Sequence, residues 1–296
     1  MVCSRHNSGV VKGNPDIDEL VIAEPADSIR AIGARFRGET DLAIALAPRT
    51  MDFVLAGATR APRRVGYTYV RRYATRLTAR LYLTDVVLSE ADPELCDRDA
   101  HYAVRHEVDQ VLSLVTRAGG SVLTHDLVLA ISDADRARVA DVPAGGIAFQ
   151  LAPRWLRDGS TLGGTLELIR DLRRFGLPIV ATYGSDSADL AEAVQAAGVA
   201  DVVVGDLPFA AWAAVFEKSA LVVTVDTGAT HVASATKRPT VVLFERRYFN
   251  LSSQEWAPYH VPSVILRKPA DETPAALTGL REQVISGVEA LLAPCP

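Results

Sequence analysis

Along the second half of the chain, short runs of Val, Ile, Leu and Ala alternate with longer stretches in which apolar residues return every three or four positions. The runs at 147–151, 178–182, 201–204, 220–225, 240–244 and 263–266 are apolar at almost every position, the pattern of strands buried on both faces. Between them, the stretches at 165–175, 186–197, 209–217 (anchored by Trp212) and 229–235 predict amphipathic helices. Strand and helix in strict alternation imply a parallel sheet covered on both sides, a doubly wound α/β domain.

The first half repeats this grammar in a more broken form, with strands at 19–22, 41–46 and 64–67 and helices at 29–36, 51–58 and 101–118. The Pro/Gly stretch at 141–146 predicts a linker between a domain at 1–142 and another at 147–296. The last helix, 274–292, has Thr273 as cap, Pro274 in its first turn and a stripe of Leu277, Leu280, Val284, Val288 and Leu291, so it should pack across a domain surface. A doubly wound domain ordinarily opens with a strand, a Gly-containing turn and a helix. This chain begins Met1-Val2-Cys3-Ser4 and reaches Asn14-Pro15-Asp16-Ile17-Asp18 at once, so that opening segment is expected to be missing from the N-terminal domain.

Composition narrows the class. At 49% hydrophobic and 23% charged, the 296 residues form a globular protein long enough for two domains. No apolar stretch approaches the ~20 residues of a membrane helix, and the first residues lack the apolar core of a signal peptide, which predicts a soluble cytoplasmic protein. Cys3, Cys96 and Cys295 are odd in number and widely spaced, which argues against a structural disulfide or a zinc site. A net charge of -5 argues against general nucleic-acid binding.

Two segments carry candidate chemistry. At Asp226-Thr227-Gly228-Ala229-Thr230-His231 a buried strand ends in a tight turn and a helix begins at once, so backbone N–H groups converge as a seat for phosphate. Thr227 offers a hydroxyl donor, Gly228 admits a ligand close to the main chain, and His231 faces back from one turn into the helix. The tripeptide also suits an ordinary helix start capped by Asp226 or Thr227, and both readings stay open on it alone. The second segment is residues 60–80, where Arg60, Arg63, Arg64, Arg71, Arg72, Arg76 and Arg80 are interleaved with Tyr67, Tyr69 and Tyr73. Such a strip suits an anionic glycan, an anionic membrane surface or a solvated face of structural ion pairs. No RNA-binding motif accompanies it.

In order along the chain, residues 14–18, Arg64-Val65-Gly66-Tyr67, the Asp226-Thr227-Gly228 turn with His231, residues 239–244 and Trp256-Ala257-Pro258 resemble glycosyltransferase family 9, the bacterial ADP-heptose:lipopolysaccharide heptosyltransferases. The resemblance runs from Met1 to about residue 266. It implies a GT-B architecture, two Rossmann-like doubly wound domains facing a cleft, with the N-terminal one incomplete here. The implied reaction is inverting, metal-independent transfer of a heptose or related sugar from an ADP-sugar to a lipopolysaccharide core or similar glycan. It needs no cofactor, and it belongs to the cytoplasm or the cytoplasmic face of the inner membrane, with a peripheral membrane contact open alongside.

The resemblance also assigns roles. Asp226, Thr227, Gly228, Ala229 and His231 would hold the donor diphosphate, with Pro153, Arg154 and Arg157 in the loop where the family places a Lys before Trp-Pro. Leu207 would stack on the base and Asp189 would bind the ribose; core packing and a solvated helix face are the alternatives for these two. Arg60, Arg63, Arg64, Arg71 and Arg72 would bind the acceptor. The sequence departs from the family at that Lys, at Glu245 where a Gly is usual, and at the catalytic Asp, which falls in the segment expected to be missing. No catalytic residue is therefore assigned. A nucleotide-binding relic or partner subunit of the same fold is the alternative, and an epimerase acting on a nucleotide sugar is a more distant one.

Overall fold

The structure, a computed structural model, describes residues 1–99 and 101–293. By its internal contacts the chain divides into two compact units. The first comprises Met1–Ser8, Asp18–Asp126 and Asn250–Trp256, and the second comprises Gly9–Ile17, Leu127–Phe249 and the chain from Ala257 onward.

In the first unit, β1 (Val2–Ser4) pairs in parallel with β2 (Val21–Ala23), Val2 opposite Val21. Helix α1 (Arg5–Val11) lies between them in sequence. A strand and a helix thus stand where the sequence predicts none. The strand has three residues and the helix buries none, so neither carries the periodicity by which such elements are read. After α2 (Ile29–Ala34) comes a parallel sheet in the order β3 (Leu42–Ala45), β4 (Arg63–Tyr69), β5 (Asp85–Ser89). Helix α3 (Thr50–Thr59) follows β3, and α4 (Tyr73–Tyr82) follows β4. Beyond β5 come α5 (Pro93–Arg98) and α6 (Glu107–Arg117). The alternation of β4 organises the unit. Val65 and Tyr67 pack with Leu114 of α6, while Ala45, Phe53, Ala56, Ala79 and Leu83 form a separate cluster with α3 and α4.

Helices α2 and α3 cross closely because residue 33 has no side chain. A Cβ there would lie 2.6 Å from the Leu55 carbonyl oxygen and 2.7 Å from the Ala58 Cβ. Backbone cannot yield as a flexible side chain can, so Gly33→Ala should destabilise the protein by about 1–3 kcal/mol. Urea unfolding measures this, and an unchanged midpoint would contradict the close crossing.

In the second unit, α7 (Asp133–Ala137) precedes six parallel strands: β6 (Ile147–Gln150), β7 (Ile179–Tyr183), β8 (Val202–Gly205), β9 (Leu221–Val225), β10 (Thr240–Phe244) and β11 (Ser263–Arg267). They order as β11-β10-β9-β6-β7-β8, the doubly wound arrangement in which strand order reverses between β6 and β9. The connecting helices are α8 (Leu162–Leu172), α9 (Ala188–Ala196), α10 (Phe209–Lys218) and α11 (Gly228–Ala235), whereas α12 (Phe249–Glu255), between β10 and β11 in sequence, belongs from Asn250 onward to the first unit. Every residue of β9 and β10 is buried, as their unbroken apolar runs predict. Helix α13 (Pro274–Leu292) is capped by Thr273 and sets Leu280, Val284 and Val288 into the same core, as its stripe predicts. The expected α/β fold of parallel sheets is borne out.

The Pro/Gly stretch at 141–146 lies within the second unit, before β6. No described helix is long and apolar enough to cross a membrane. Cys3 and Cys96 are free thiols, and Cys295 lies outside the described residues.

Candidate functional site

The carboxyl ends of β6 and β9 adjoin where the strand order of the second unit reverses, the place where open α/β sheets hold ligands. Beyond β6 the chain enters a 3-10 turn, Pro153–Leu156. Trp155 locks that turn: it is buried, stacks on Phe149 with centroids 4.6 Å apart, and donates from Nε1 to the Gln150 carbonyl at 2.8 Å. With its neighbour fixed, Arg154 reaches across to the end of β9, and its Nη1 lies 2.7 Å from Oδ2 of Asp226. Burial holds the Asp226 carboxyl above its ordinary range, although the Arg154 guanidinium pulls it back.

The turn that follows has the character of an anion seat. Thr227 occupies the cap position of α11, yet no side chain caps the helix. The Thr227 hydroxyl instead donates to the Val225 carbonyl at 3.2 Å. The first N–H groups of α11 therefore lack side-chain caps, and a Cβ on Gly228 would meet nothing within 4 Å. Helix dipole and N–H groups point into open space. Ala229 is buried, so it can offer a ligand only its backbone, and His231 is half-buried one turn further on.

Two more cations and a carboxylate complete this edge. Arg157 donates from Nη1 to Glu245 Oε1 at 3.0 Å, and Arg154 Nε stands 3.9 Å from the same oxygen. Lys268, just beyond β11, is only 1% exposed. Its ammonium donates to the backbone carbonyls of Arg154 and, at 2.9 Å, of Arg157. Burial pushes its pKa down to about 8, against the pull of Asp158 and Glu245. The family's Lys is thus absent from the loop itself, while a lysine from a distant strand lies beneath that loop. Asp189 is exposed in the first turn of α9, and Leu207 is half-buried against the cluster containing Ala148 and Val180. Both follow the carboxyl ends of strands on this edge, and neither is hydrogen-bonded or ion-paired to Arg154 or Asp226.

The first unit carries a second constellation, at the carboxyl end of β4. The Tyr67 hydroxyl donates to Glu107 Oε1 at the start of α6. Glu255 accepts from the Tyr69 hydroxyl at 3.4 Å and from Trp256 Nε1 at 3.0 Å. Burial lifts the Glu107 carboxyl to about 7, the Tyr67 bond opposes the rise, and the nearby Glu255 charge adds to it. Burial raises Glu255 and both tyrosines as well. One turn along the same stripe of α6, Gln110 is 3% exposed and its Nε2 has no hydrogen-bond partner. A buried donor left open beside a carboxyl poised near neutrality marks a place for a polar ligand.

The five arginines expected to bind the acceptor part company here. Arg63 donates to the carbonyls of Arg117 at 2.9 Å and Ala118 at 2.7 Å, and Arg64 donates to the carbonyl of Tyr82 at 2.7 Å. Arg71 pairs with Asp92 and Glu94. Arg72 lies over the Tyr69 ring, 4.5 Å from its centroid, and Arg60 caps α3 with a left-handed φ of 56°. Much of the strip is engaged in holding the unit together. Sequence reasoning missed Lys268, Glu107 and Glu255, and no local motif announces them: each reads as a charged residue on a solvated face.

Comparison with known proteins finds these features in others. Residues 166–280 match the model of glycosyltransferase family 9 (heptosyltransferase). No curated protein matches the chain. Among solved structures, a family 9 glycosyl transferase from Veillonella parvula superposes with a TM-score of 0.77 at 18% identity, covering 98% of this chain and 87% of that one. ADP-heptose lipopolysaccharide heptosyltransferase II of E. coli gives 0.73 at 17% identity, covering 98% and 88%. E. coli heptosyltransferase WaaC, solved with ADP-2-deoxy-2-fluoro heptose, gives 0.68 at 15% identity, also covering 98% and 88%. The resemblance to family 9 is borne out over residues 166–280, and the fold is shared with the solved heptosyltransferases.

Proposed function

With family 9 as the premise, we propose that this glycosyltransferase moves a heptose or related sugar from an ADP-sugar to a lipopolysaccharide core or similar glycan, by an inverting reaction that uses neither metal nor cofactor. The observation that carries this reading is the convergence of the uncapped start of α11, Arg154 and the Lys268-braced turn at one reversal point of the sheet. A diphosphate seated there meets N–H donors at Gly228 and Ala229, guanidinium charge from Arg154 and Arg157, and a buried ammonium behind them. Those charges stabilise the leaving ADP as the bond from sugar C1 to phosphate oxygen breaks. The proton of the attacking acceptor hydroxyl is assigned to Glu107, the first-unit carboxyl that burial holds near neutrality, as the new bond forms at C1. Its placement at the cytoplasmic face of a membrane is part of the same proposal.

Calorimetry with ADP on the full chain, followed by release of ADP from ADP-heptose in the presence of a lipopolysaccharide-core oligosaccharide, tests the reading. Arg154→Ala should weaken ADP binding about 10- to 100-fold, the scale of one charge-assisted hydrogen bond. Binding without turnover would favour the partner-subunit alternative. No binding at all would remove the donor site.

A further inference from the structure

Helix α4 presents an apolar stripe that nothing in its own unit covers. Tyr73, Leu77 and Leu81 stand four residues apart on one face and are 72%, 64% and 72% exposed. The opposite face packs normally, with Ala79 buried and the Tyr82 ring set against Gly57 of α3. Exposed leucines singly are common on protein surfaces, but three aligned large apolar side chains on a ten-residue helix are not.

Charge identifies the occupant. Arg76 and Arg80 flank the stripe along one edge, and the Arg76 guanidinium sits 5.7 Å from the Tyr73 ring centroid. There is no Asp or Glu between Asp52 and Asp85, in a chain whose net charge is -5. An apolar stripe edged by arginine, with low overall hydrophobicity, is the physical signature of a helix that lies in a membrane interface. A protein partner with a matching acidic groove would leave the leucines facing charge. An anionic bilayer takes both, with side chains entering the acyl boundary and guanidinium groups meeting lipid phosphates. We propose that α4 docks the first unit on an anionic membrane surface, laying Tyr73, Leu77 and Leu81 into the interface with Arg76 and Arg80 at the headgroups. The proposal deepens the acceptor side of the reading above and rests on it for purpose, since a lipid-linked acceptor would be met there.

Flotation with vesicles of phosphatidylglycerol and phosphatidylethanolamine, without donor present, tests it on the full chain. The wild type should float with these vesicles and much less with phosphatidylcholine alone. Leu77→Asp with Leu81→Asp should reduce the bound fraction tenfold or more, and Arg80→Glu on the order of fivefold. Leu123→Asp, at a site 95% exposed on the same unit, should change nothing. All the substituted side chains are exposed, and an unchanged melting temperature verifies that the variants fold. Failure of the wild type to float, or equal flotation of the Leu77/Leu81 variant, overturns the proposal. So does a wild-type dimer in sedimentation velocity that this variant dissolves, because the stripe would then be a subunit contact. ADP calorimetry on the same samples keeps the outcomes separate: loss of flotation with intact ADP binding concerns α4 alone, and absent ADP binding with intact flotation concerns the donor site alone.

Discussion

Replacement of Glu107 by Gln should lower kcat by 10²- to 10⁴-fold, the range a positioned general base supplies, and leave ADP affinity unchanged. Gln keeps the bulk and accepts the Tyr67 hydrogen bond, but it cannot take a proton. The wild-type rate should climb as pH rises through about 7, where burial places the Glu107 carboxyl, because only the deprotonated form accepts the acceptor proton. Tyr67 and Glu255 act on it directly, and Tyr67 and Tyr69, both raised by burial, hold their protons throughout that window. Tyr67→Phe removes the bond that holds the carboxyl down, so it should move the acid limb to higher pH. Stability should run the other way. The folded state keeps a Glu107 proton that the unfolded chain has already released, so this group's contribution is present at low pH and is lost as pH rises through about 7. An E107Q enzyme with the wild-type rate and pH profile would remove Glu107 from the reaction.

The second large effect is expected at Lys268. Met fills nearly the same volume but offers no donor, so Lys268→Met leaves the carbonyls of Arg154 and Arg157 without the ammonium. Each buried acceptor stranded in this way costs about 1–3 kcal/mol, and the turn bearing both guanidinium groups loosens. ADP affinity should therefore fall along with stability. A separate readout distinguishes positioning from mere support. The lysine loses its proton near pH 8, so ADP affinity in the wild type should weaken as pH rises through that value, and the dependence should vanish in the variant. Matched ADP affinities and pH profiles for the two proteins would show that Lys268 is only packing.

What the sequence reveals depends on how far each feature reaches along the chain. The six strands of the second unit lie close to their predicted positions because each is a nearly continuous apolar run, buried in the four inner strands and half-buried at the edges β8 and β11. The Asp226 turn was legible for the same reason, since strand end, glycine and helix start are neighbours. In the first unit α4 and β5 carry no legible inward stripe, because arginines and exposed leucines interrupt α4 and β5 is only half-buried. The predicted helix at 101–118 begins only at Glu107, where the His106 side chain accepts from the Val108 N–H and fixes the start. Lys268 and Glu255 could not be read in advance. Lys268 touches residues more than a hundred positions away, and Glu255 reaches back to Tyr69 across most of the chain.

Residues 250–256 join the first unit only after nearly all the strands of the second have been made, which bears on how this protein is born. Gln254 accepts from the Val104 N–H, its amide donates to the Tyr102 carbonyl, and the Asn250 amide donates to Asp97. During synthesis the first unit therefore leaves the ribosome without Glu255 beneath Tyr69, and it waits in an incomplete state while β6 to β10 emerge. The two units cannot mature one after the other like beads on a string. The Glu107–Glu255 neighbourhood is therefore assembled late in translation, so a nascent chain arrested before residue 250 should present Glu107 without the nearby Glu255 charge.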